Sequence, residues 1–483
     1  MVLIVCDGLR PDSVSEAQTP ALWQLASRGV MFRNHHSVYP TLTNVNSTAL
    51  ATGVFPNRSG LLANYEFRPE IDSAKFIRTD ELRAVQKGDE LAAGKYLAVP
   101  TTAEAVQASG GWTAIAGTKT TTLLHNRKPS AKSVTIFAGD VLPTSAGAEI
   151  TRRLGSFPRA DQLPNEAQDA WTTRALVEGL WREGVPLLSV LWLSEPDRSE
   201  HASSPGSETA LAAVRSCDTQ VATVLRSLES KGVSHNTDIF VASDHGFSTV
   251  GRPIELRERL KSAGFRVTFD GETAGGRGHV RVVGNGGTAL FYIAEHDEDT
   301  TARLTEWLQQ SDFAGVIFSP SAREGAFLYS EVHLETPSAP DLVMAFCWAD
   351  QPNKYGIAGM IAATAAGEAV PATHGTLGKF DVHNTLIAAG PDFRAGTTDE
   401  LPTSNLDVAP TILHLLGIKP LQSFDGRVLE EALVRQEKLL PRVEQSALEA
   451  TRAFPSGVWR QQLRISKLGP YIYFDEGNGR FAD

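Results

Sequence analysis

Asp238-Ile239-Phe240-Val241-Ala242-Ser243-Asp244-His245-Gly246 runs from a short apolar strand straight into an aspartate and a histidine beside a glycine. Gly246 lets the chain bend so that Asp244 and His245 face one point, which makes them a strong ligand pair for a cation. Two further apolar runs end in the same way. Residues 2–6 lead into Asp7-Gly8, and residues 187–193 lead into Glu195-Pro196-Asp197-Arg198-Ser199-Glu200-His201. Asp197 and His201 lie four apart, so one helical turn brings both to a common point. Residues 112–116 and 385–389 read as additional strands. Amphipathic helices are predicted between them, over 20–28 with Thr19 as N-cap, over 208–228, and over 408–416 ended by Gly417. This alternation predicts an α/β fold with a mostly parallel central sheet sandwiched by helices. Ligand sites in such sheets form at the carboxyl ends of strands, where these acids and imidazoles fall.

The rhythm breaks twice along the 483 residues, a length that allows a large core plus inserted modules. Residues 65–110 are mixed and polar, a loop-rich excursion near the site. Residues 265–370 carry strand-like runs and a helix near 301–309. The expected organisation is a core from 1–264 and 371–430, an inserted smaller α+β module at 265–370, and a tail at 431–483 with a helix and a hairpin around Leu468-Gly469-Pro470. The Gly-rich stretch 271–287 reads as a hairpin or loop, since no strand-to-helix context makes it a phosphate cradle.

A formal net charge of −11 argues against a nucleic-acid polymer as partner, because phosphate backbones require a basic face. A small anionic substrate is compatible with it, because bound cations reverse the field locally. Cys6, Cys217 and Cys347 show neither metal-knuckle spacing nor a disulfide framework. With the short apolar run at the start, lacking a basic flank, they make a cytoplasmic location the expectation. No stretch approaches a membrane span, so no membrane partner is expected, and a homo-oligomer is left open.

Two more segments carry chemistry. Tyr39-Pro40-Thr41-Leu42-Thr43-Asn44-Val45-Asn46 precedes a helical 47–51. Thr43 then stands at a helix N-terminus, where free N–H groups and the dipole favour an anion. Read alone, it is more simply an N-cap. Ala372-Thr373-His374-Gly375-Thr376 adds a further histidine. Three aspartates, three histidines and one threonine together suit two zinc ions, with manganese or iron as alternatives. His35, His36, His279, His333 and His383 read as structural or exposed, and Trp192 and Trp348 as core.

The ordered set, Asp7-Gly8, Pro40-x-x-Thr43, Glu195-Pro196-Asp197-x-x-x-His201, Ser243-Asp244-His245-Gly246 and His374-Gly375, resembles the alkaline phosphatase superfamily. Within it the resemblance is to the nucleotide pyrophosphatase/phosphodiesterase branch, and it runs from residue 7 to about residue 429. Residues 404–416 and Phe424-Asp425-Gly426-Arg427 are similar to that family's closing helix and Asp-Gly turn. The resemblance implies an alkaline-phosphatase-like fold. It implies that Asp197, His201 and His374 hold one zinc, and that Asp7, Asp244 and His245 hold the other, with Thr43 Oγ as ligand and nucleophile. It further implies that Asn64 and the Asn44 backbone N–H bind the phosphoryl oxygens. The implied reaction hydrolyses a phosphodiester or pyrophosphate in a small anionic phosphorus-containing substrate, through a phospho-threonine.

Thr43-Asn44-Val45-Asn46, Asn64-Tyr65 and Gly117-Thr118-Lys119 also look like phosphonoacetate hydrolases, in which two lysines hold the substrate carboxylate. Lys119 matches one of them as a substrate-binding residue, and Thr121 stands where the second would be. A C–P bond hydrolase is therefore an alternative reading. A non-catalytic metal- or phosphate-binding protein on the same scaffold is another. The Cys/Ser-x-Pro-x-Arg setting of sulfatases is absent around Thr43.

Overall fold

Nine strands form the central sheet of the computed structural model, which describes residues 1–268, 272, 275–364, 370–435 and 442–482. From edge to edge they run Thr397–Asp399, Val30–Phe32, Leu386–Ala389, Ile239–Ala242, Val2–Cys6, Leu188–Leu193, Thr113–Gly117, Val134–Phe137 and Asp140–Leu142. The run from Ile239–Ala242 to Val134–Phe137 is parallel throughout. Leu386–Ala389 is antiparallel to both of its neighbours, and Asp140–Leu142 closes the far edge antiparallel. The sheet is thus mostly parallel, and helices cover both faces. Leu3 and Val5 pack toward Leu50, Val408 and Ile412, while Val2, Ile4 and Cys6 pack toward Leu22, Leu25, Val214 and Val221. Burial on both sides is why the central strands are continuous apolar runs.

The helices differ from the sequence reading at their ends. Pro20–Ser27 follows Thr19, but that hydroxyl donates back to the Ser15 carbonyl. The free N–H groups of Ala21 and Leu22 are instead met by Asp218 of helix Glu208–Ser230, at 3.1 and 2.8 Å. Residues 65–110 are more ordered than a loop-rich excursion. Tyr65–Glu66 pairs with Ile77–Arg78, and helices Leu82–Leu91 and Thr102–Ala108 follow. A capping box between Thr101 and Glu104 starts the second helix, a local signal that the sequence reading passed over.

A second sheet orders Val267–Thr268, Val280–Asn285, Thr288–Ile293, Leu342–Phe346, Ala314–Ser319 and Phe327–Leu328, with helix Glu298–Gln309 packed on it. The Gly-rich stretch contains a hairpin, Val280–Asn285 against Thr288–Ile293; residues 269–271 and 273–274 lie outside the described residues. Its turn reaches the centre of the molecule, where Gly287 N–H donates to the His374 carbonyl at 2.8 Å. A small sheet ties Ser248–Ile254 to Ala358–Thr364 and Ala372–Thr373, so the segment after His245 and the segment before His374 are joined.

The tail is a meander of three 12-residue strands, Val443–Phe454, Gly457–Leu468 and Tyr471–Ala482, turning at Gly469-Pro470. No α-helix occurs among the described residues of 431–483, and residues 436–441 lie outside them. The alternating burial of Gly457–Leu468 has the period of a strand, and this decides the segment's conformation. No helix among the described residues is long and apolar enough to cross a membrane.

Candidate active site

Parallel strands place their carboxyl ends on one edge of the sheet. Asp7 follows Val2–Cys6, Lys119 follows Thr113–Gly117, and Asp244-His245 follow Ile239–Ala242. Asp197 opens helix Asp197–Ser203, which puts His201 one turn further on. His374 arrives from the Ala372–Thr373 strand. Thr43 is the first residue of the fully buried helix Thr43–Thr52. The N-cap is Leu42, whose side chain cannot cap, so the Thr43 hydroxyl is not spent on the helix. Its Oγ1 lies 3.2 Å from His245 Nε2.

All six proposed ligands meet beside it. His201 Nε2 and His374 Nε2 are 3.2 and 3.5 Å from Asp197 Oδ1. His245 Nε2 is 3.2 Å from Asp244 Oδ2 and 3.7 Å from Asp7 Oδ1. Two tight groups emerge, Asp197 with His201 and His374, and Asp7 with Asp197 and His245. Asp197 therefore reaches both, where the sequence reading gave it to one.

Each imidazole is oriented by a backbone carbonyl. His201 Nδ1 is 2.9 Å from Ala372 O, His374 Nδ1 is 2.8 Å from Thr41 O, and His245 Nδ1 is 2.9 Å from Gly246 O. A carbonyl only accepts, so each Nδ1 carries the proton and each Nε2 faces the cluster, the arrangement of a ligating histidine.

The residues present fit a pair of cations. Asp7 Oδ1, Asp197 Oδ1 and Asp244 Oδ2 are buried and make no hydrogen bond among the described residues. Three buried carboxylates so close together are costly without positive charge. Burial, and then the neighbouring Asp244, holds the Asp7 carboxyl well above the usual range. Burial also acts to raise Asp197, but Lys119 and His201 outweigh it and hold that carboxyl well below the usual range. Burial would depress His245, yet the Asp244, Asp7 and Asp197 carboxylates push it up to about 9. His374, stacked on the His245 ring at 3.4 Å, is driven well below its ordinary value by burial and by that neighbour. Oxygen and nitrogen donors in this mixture suit zinc, with manganese or iron next.

Lys119 lies within the cluster itself. Its Nζ lies 2.8 Å from Asp7 Oδ2 and 2.6 Å from Asp197 Oδ2, between the two groups. Thr121 is buried and its carbonyl accepts from Ser47. Asn44 and Asn64 bind each other. The Asn44 N–H donates to Asn64 Oδ1 at 2.8 Å, so it is not free for a phosphoryl oxygen, and the Asn44 side chain turns to Thr79 Oγ1. That contact aims the Asn64 carboxamide and leaves its NH₂ group without a partner among the described residues.

Several supporting residues escaped the sequence reading. Trp192, read as core, is buried, and it also donates its indole N–H to Asp7 Oδ2 at 2.8 Å. Phe247 packs edge-on to His201 and against His374. Asp381 accepts from the Thr376 N–H and hydroxyl at 2.9 and 2.6 Å and from Ser248, tying the His374 loop to the segment after His245. Asp169 accepts the Ser194 and Glu195 N–H groups, fixing the turn before Asp197. None of these belongs to a motif, although Phe247 adjoins one. Gly8 has φ +73°, and a Cβ there would lie 3.1 Å from that of Asp197, so only glycine brings the two loops together.

The chain belongs to the alkaline phosphatase superfamily, on a family match and a likeness of fold. Residues 1–349 match the family described as type I phosphodiesterase/nucleotide pyrophosphatase, and the chain belongs to that family. Human ectonucleotide pyrophosphatase/phosphodiesterase family member 1 is 22% identical over 253 residues, which are 51% of this chain. The match spans only 23% of that relative's length. Among solved structures, human ectonucleotide pyrophosphatase/phosphodiesterase 5 superposes with a TM-score of 0.63 at 18% identity, covering 90% of this chain and 100% of that one. An inactive variant of the murine counterpart, in complex with AMP, gives 0.62 at 17% identity, covering 90% and 99%.

Proposed function

We propose that this protein hydrolyses a phosphodiester or pyrophosphate bond in a small anionic substrate, with Thr43 as the nucleophile. The observation that carries the reading is the Thr43 hydroxyl, unspent at a helix start and 3.2 Å from His245 Nε2 beside the six converging ligands. Asp197, His201 and His374 would hold one divalent cation and Asp7, Asp244 and His245 the other. When bound, such a pair supplies the positive charge that activates a hydroxyl and takes up charge on the phosphoryl and leaving groups.

The chain's own residues do the rest. Thr43 Oγ loses its proton to solvent and forms a bond to phosphorus as the bond to the leaving oxygen breaks, giving a phospho-threonine. The leaving oxygen takes up a proton from solvent. The buried helix Thr43–Thr52 presents its N-terminus to the phosphoryl oxygens, and Asn64 adds its free NH₂. Water then forms the new P–O bond, the Thr43 Oγ–P bond breaks, and the hydroxyl regains a proton. Family membership supports the reaction class, and the AMP complex of the murine relative supports a nucleotide-like substrate. That relative's inactive variant is itself a threonine-to-alanine change.

Lys119 favours a second reading. An ammonium already beside the cluster suits a substrate with a second anionic group, such as a carboxyl-bearing phosphonate. The deciding experiment offers metal-replete protein an aryl phosphodiester, a nucleotide pyrophosphate and phosphonoacetate, with Thr43→Ala alongside. Loss of phosphodiester turnover in the variant supports the proposal. Undiminished turnover there removes Thr43 as nucleophile, and no chelator-sensitive hydrolysis of any substrate leaves a binding protein.

A further inference from the structure

We propose that Asn405 and Asn46 form a positioning pair that sets Thr43 against the Asp244–His245 turn; the inference rests on the reading of Thr43 as nucleophile. Thr43 and His245 are 202 residues apart, and no bond of the helix itself fixes their spacing. A buried chain of carboxamides does. Asn46 Nδ2 donates to the carbonyls of Val38 and Leu42 at 3.0 and 3.2 Å, and its Oδ1 accepts the Val38 N–H at 2.6 Å. The loop that delivers Thr43 is thereby closed on one side chain. Asn405 Nδ2 then donates to Asn46 Oδ1 at 3.0 Å and to the Asp244 carbonyl at 2.8 Å. Asn405 thus links the nucleophile's loop to the turn that carries Asp244 and His245.

The orientation of Asn405 follows from its partners. The Asp244 carbonyl only accepts, so the NH₂ group must face it, and Oδ1 must face His35 Nε2 at 3.0 Å and Asn384 Nδ2 at 3.3 Å. His35 then donates from Nε2 and accepts from Thr403 at Nδ1, as a neutral ring; burial holds its pKa down to about 3. Asn384 in turn donates to the Ser243 carbonyl. Asn46, Asn405 and His35 are fully buried, and Asn405 reaches Asp244 at its backbone carbonyl and not at its carboxylate. In this buried setting every bond resists displacement, because a lost partner leaves a buried polar group unpaired. Asn405 and Asn46 are positioning residues, not catalytic ones.

Asn405→Asp keeps the shape but turns an acceptor toward the Asp244 carbonyl. On bis(4-nitrophenyl) phosphate, with the zinc-loaded 483-residue chain, kcat is expected to fall about 10²-fold, the scale of a 1 Å misplacement. KM should stay within about threefold, and bound zinc should be unchanged. Hydrogen exchange should rise over residues 38–46 and 243–245 and nowhere else. Asn405→Ala and Asn405→Ser carry the same readouts if the aspartate variant does not fold. A folded variant with wild-type kcat overturns the proposal. So does a loss in which kcat, zinc content and melting temperature fall together with exchange raised throughout. Wild-type protein without turnover sinks the nucleophile reading instead, and the exchange pattern still decides whether the link exists.

Discussion

The Lys119 ammonium lies 2.6 Å from Asp197 Oδ2, and the same Nζ bridges to Asp7 Oδ2 at 2.8 Å, so a lysine holds one oxygen of each carboxylate while the Oδ1 atoms face the imidazoles. Its side chain is 25% exposed, while those of Asp7 and Asp197 are 0% and 5% exposed. The ammonium is therefore the fixed charge that lets two buried acids sit together. Cations bound through the Oδ1 atoms would share these carboxylates with it at close range.

Lys119→Met should act in opposite directions on the free and loaded protein. Without cations, the two carboxylates lose their counter-charge, and stability should drop by about 2–3 kcal/mol. With zinc present, the ammonium's repulsion of the nearby cations is gone, so affinity should rise roughly tenfold. Urea unfolding with and without chelator, and zinc titration calorimetry, measure both. Equal zinc affinity in the two proteins would argue that the bound cations do not sit close to the Lys119 ammonium.

Zinc should also stabilise the fold by mass action. At 100 times its dissociation constant, the gain is about 2.7 kcal/mol, seen as a higher melting temperature that chelation reverses. His374→Ala removes one ligand of the group with Asp197 and His201. Elemental analysis should then give one retained ion per chain in place of two. Retention of both would remove His374 from the ligand set.

Thr43→Ala should lower turnover of an aryl phosphodiester by about 10³-fold or more, with zinc content unchanged. Thr43→Ser keeps a hydroxyl at the helix start and should recover most of the rate. Rapid acid quench followed by mass spectrometry should find a phosphoryl group on Thr43 in the wild type. Asn64→Ala, which removes the free NH₂ group, should cost about 10²-fold in kcat.

Away from the site, Asp399 makes stability depend on pH. Burial pushes its carboxyl up to about 7, against the Leu401 N–H that lowers it and with Glu431 adding to the rise. The folded chain then holds a proton that the unfolded chain releases nearer pH 4. Stability from this group is complete below pH 4 and is lost as pH rises through 7. Asp399→Asn should leave stability at pH 4 unchanged and raise it by roughly 1–2 kcal/mol at pH 8. Denaturant unfolding at the two pH values checks the sign.

What was legible in the sequence was local. Apolar runs such as Val2–Cys6 and Leu188–Leu193 stand out because both faces are buried. Asp7, Asp197 and the Asp244-His245 pair are visible because each lies within a few residues of such a run. The hairpin at Leu468-Gly469-Pro470 was legible from its turn residues, whereas the third strand of the meander, Val443–Phe454, carried no such local mark. The Thr101–Glu104 box is equally local, written within four residues of chain.

The amino-acid sequence by itself determined which segments are strands, which side chains end them, and hence the class of chemistry at the sheet edge. Tertiary structure alone decided that Asp218 would cap the helix at Pro20–Ser27, that Lys119 would settle on Asp7 and Asp197, and that Asn405 would join Asn46 to the Asp244 carbonyl. These contacts cross 78 to 359 residues of chain. They depend on which strand lies beside which and on where each side chain points after packing, and neither is encoded in the neighbours along the chain.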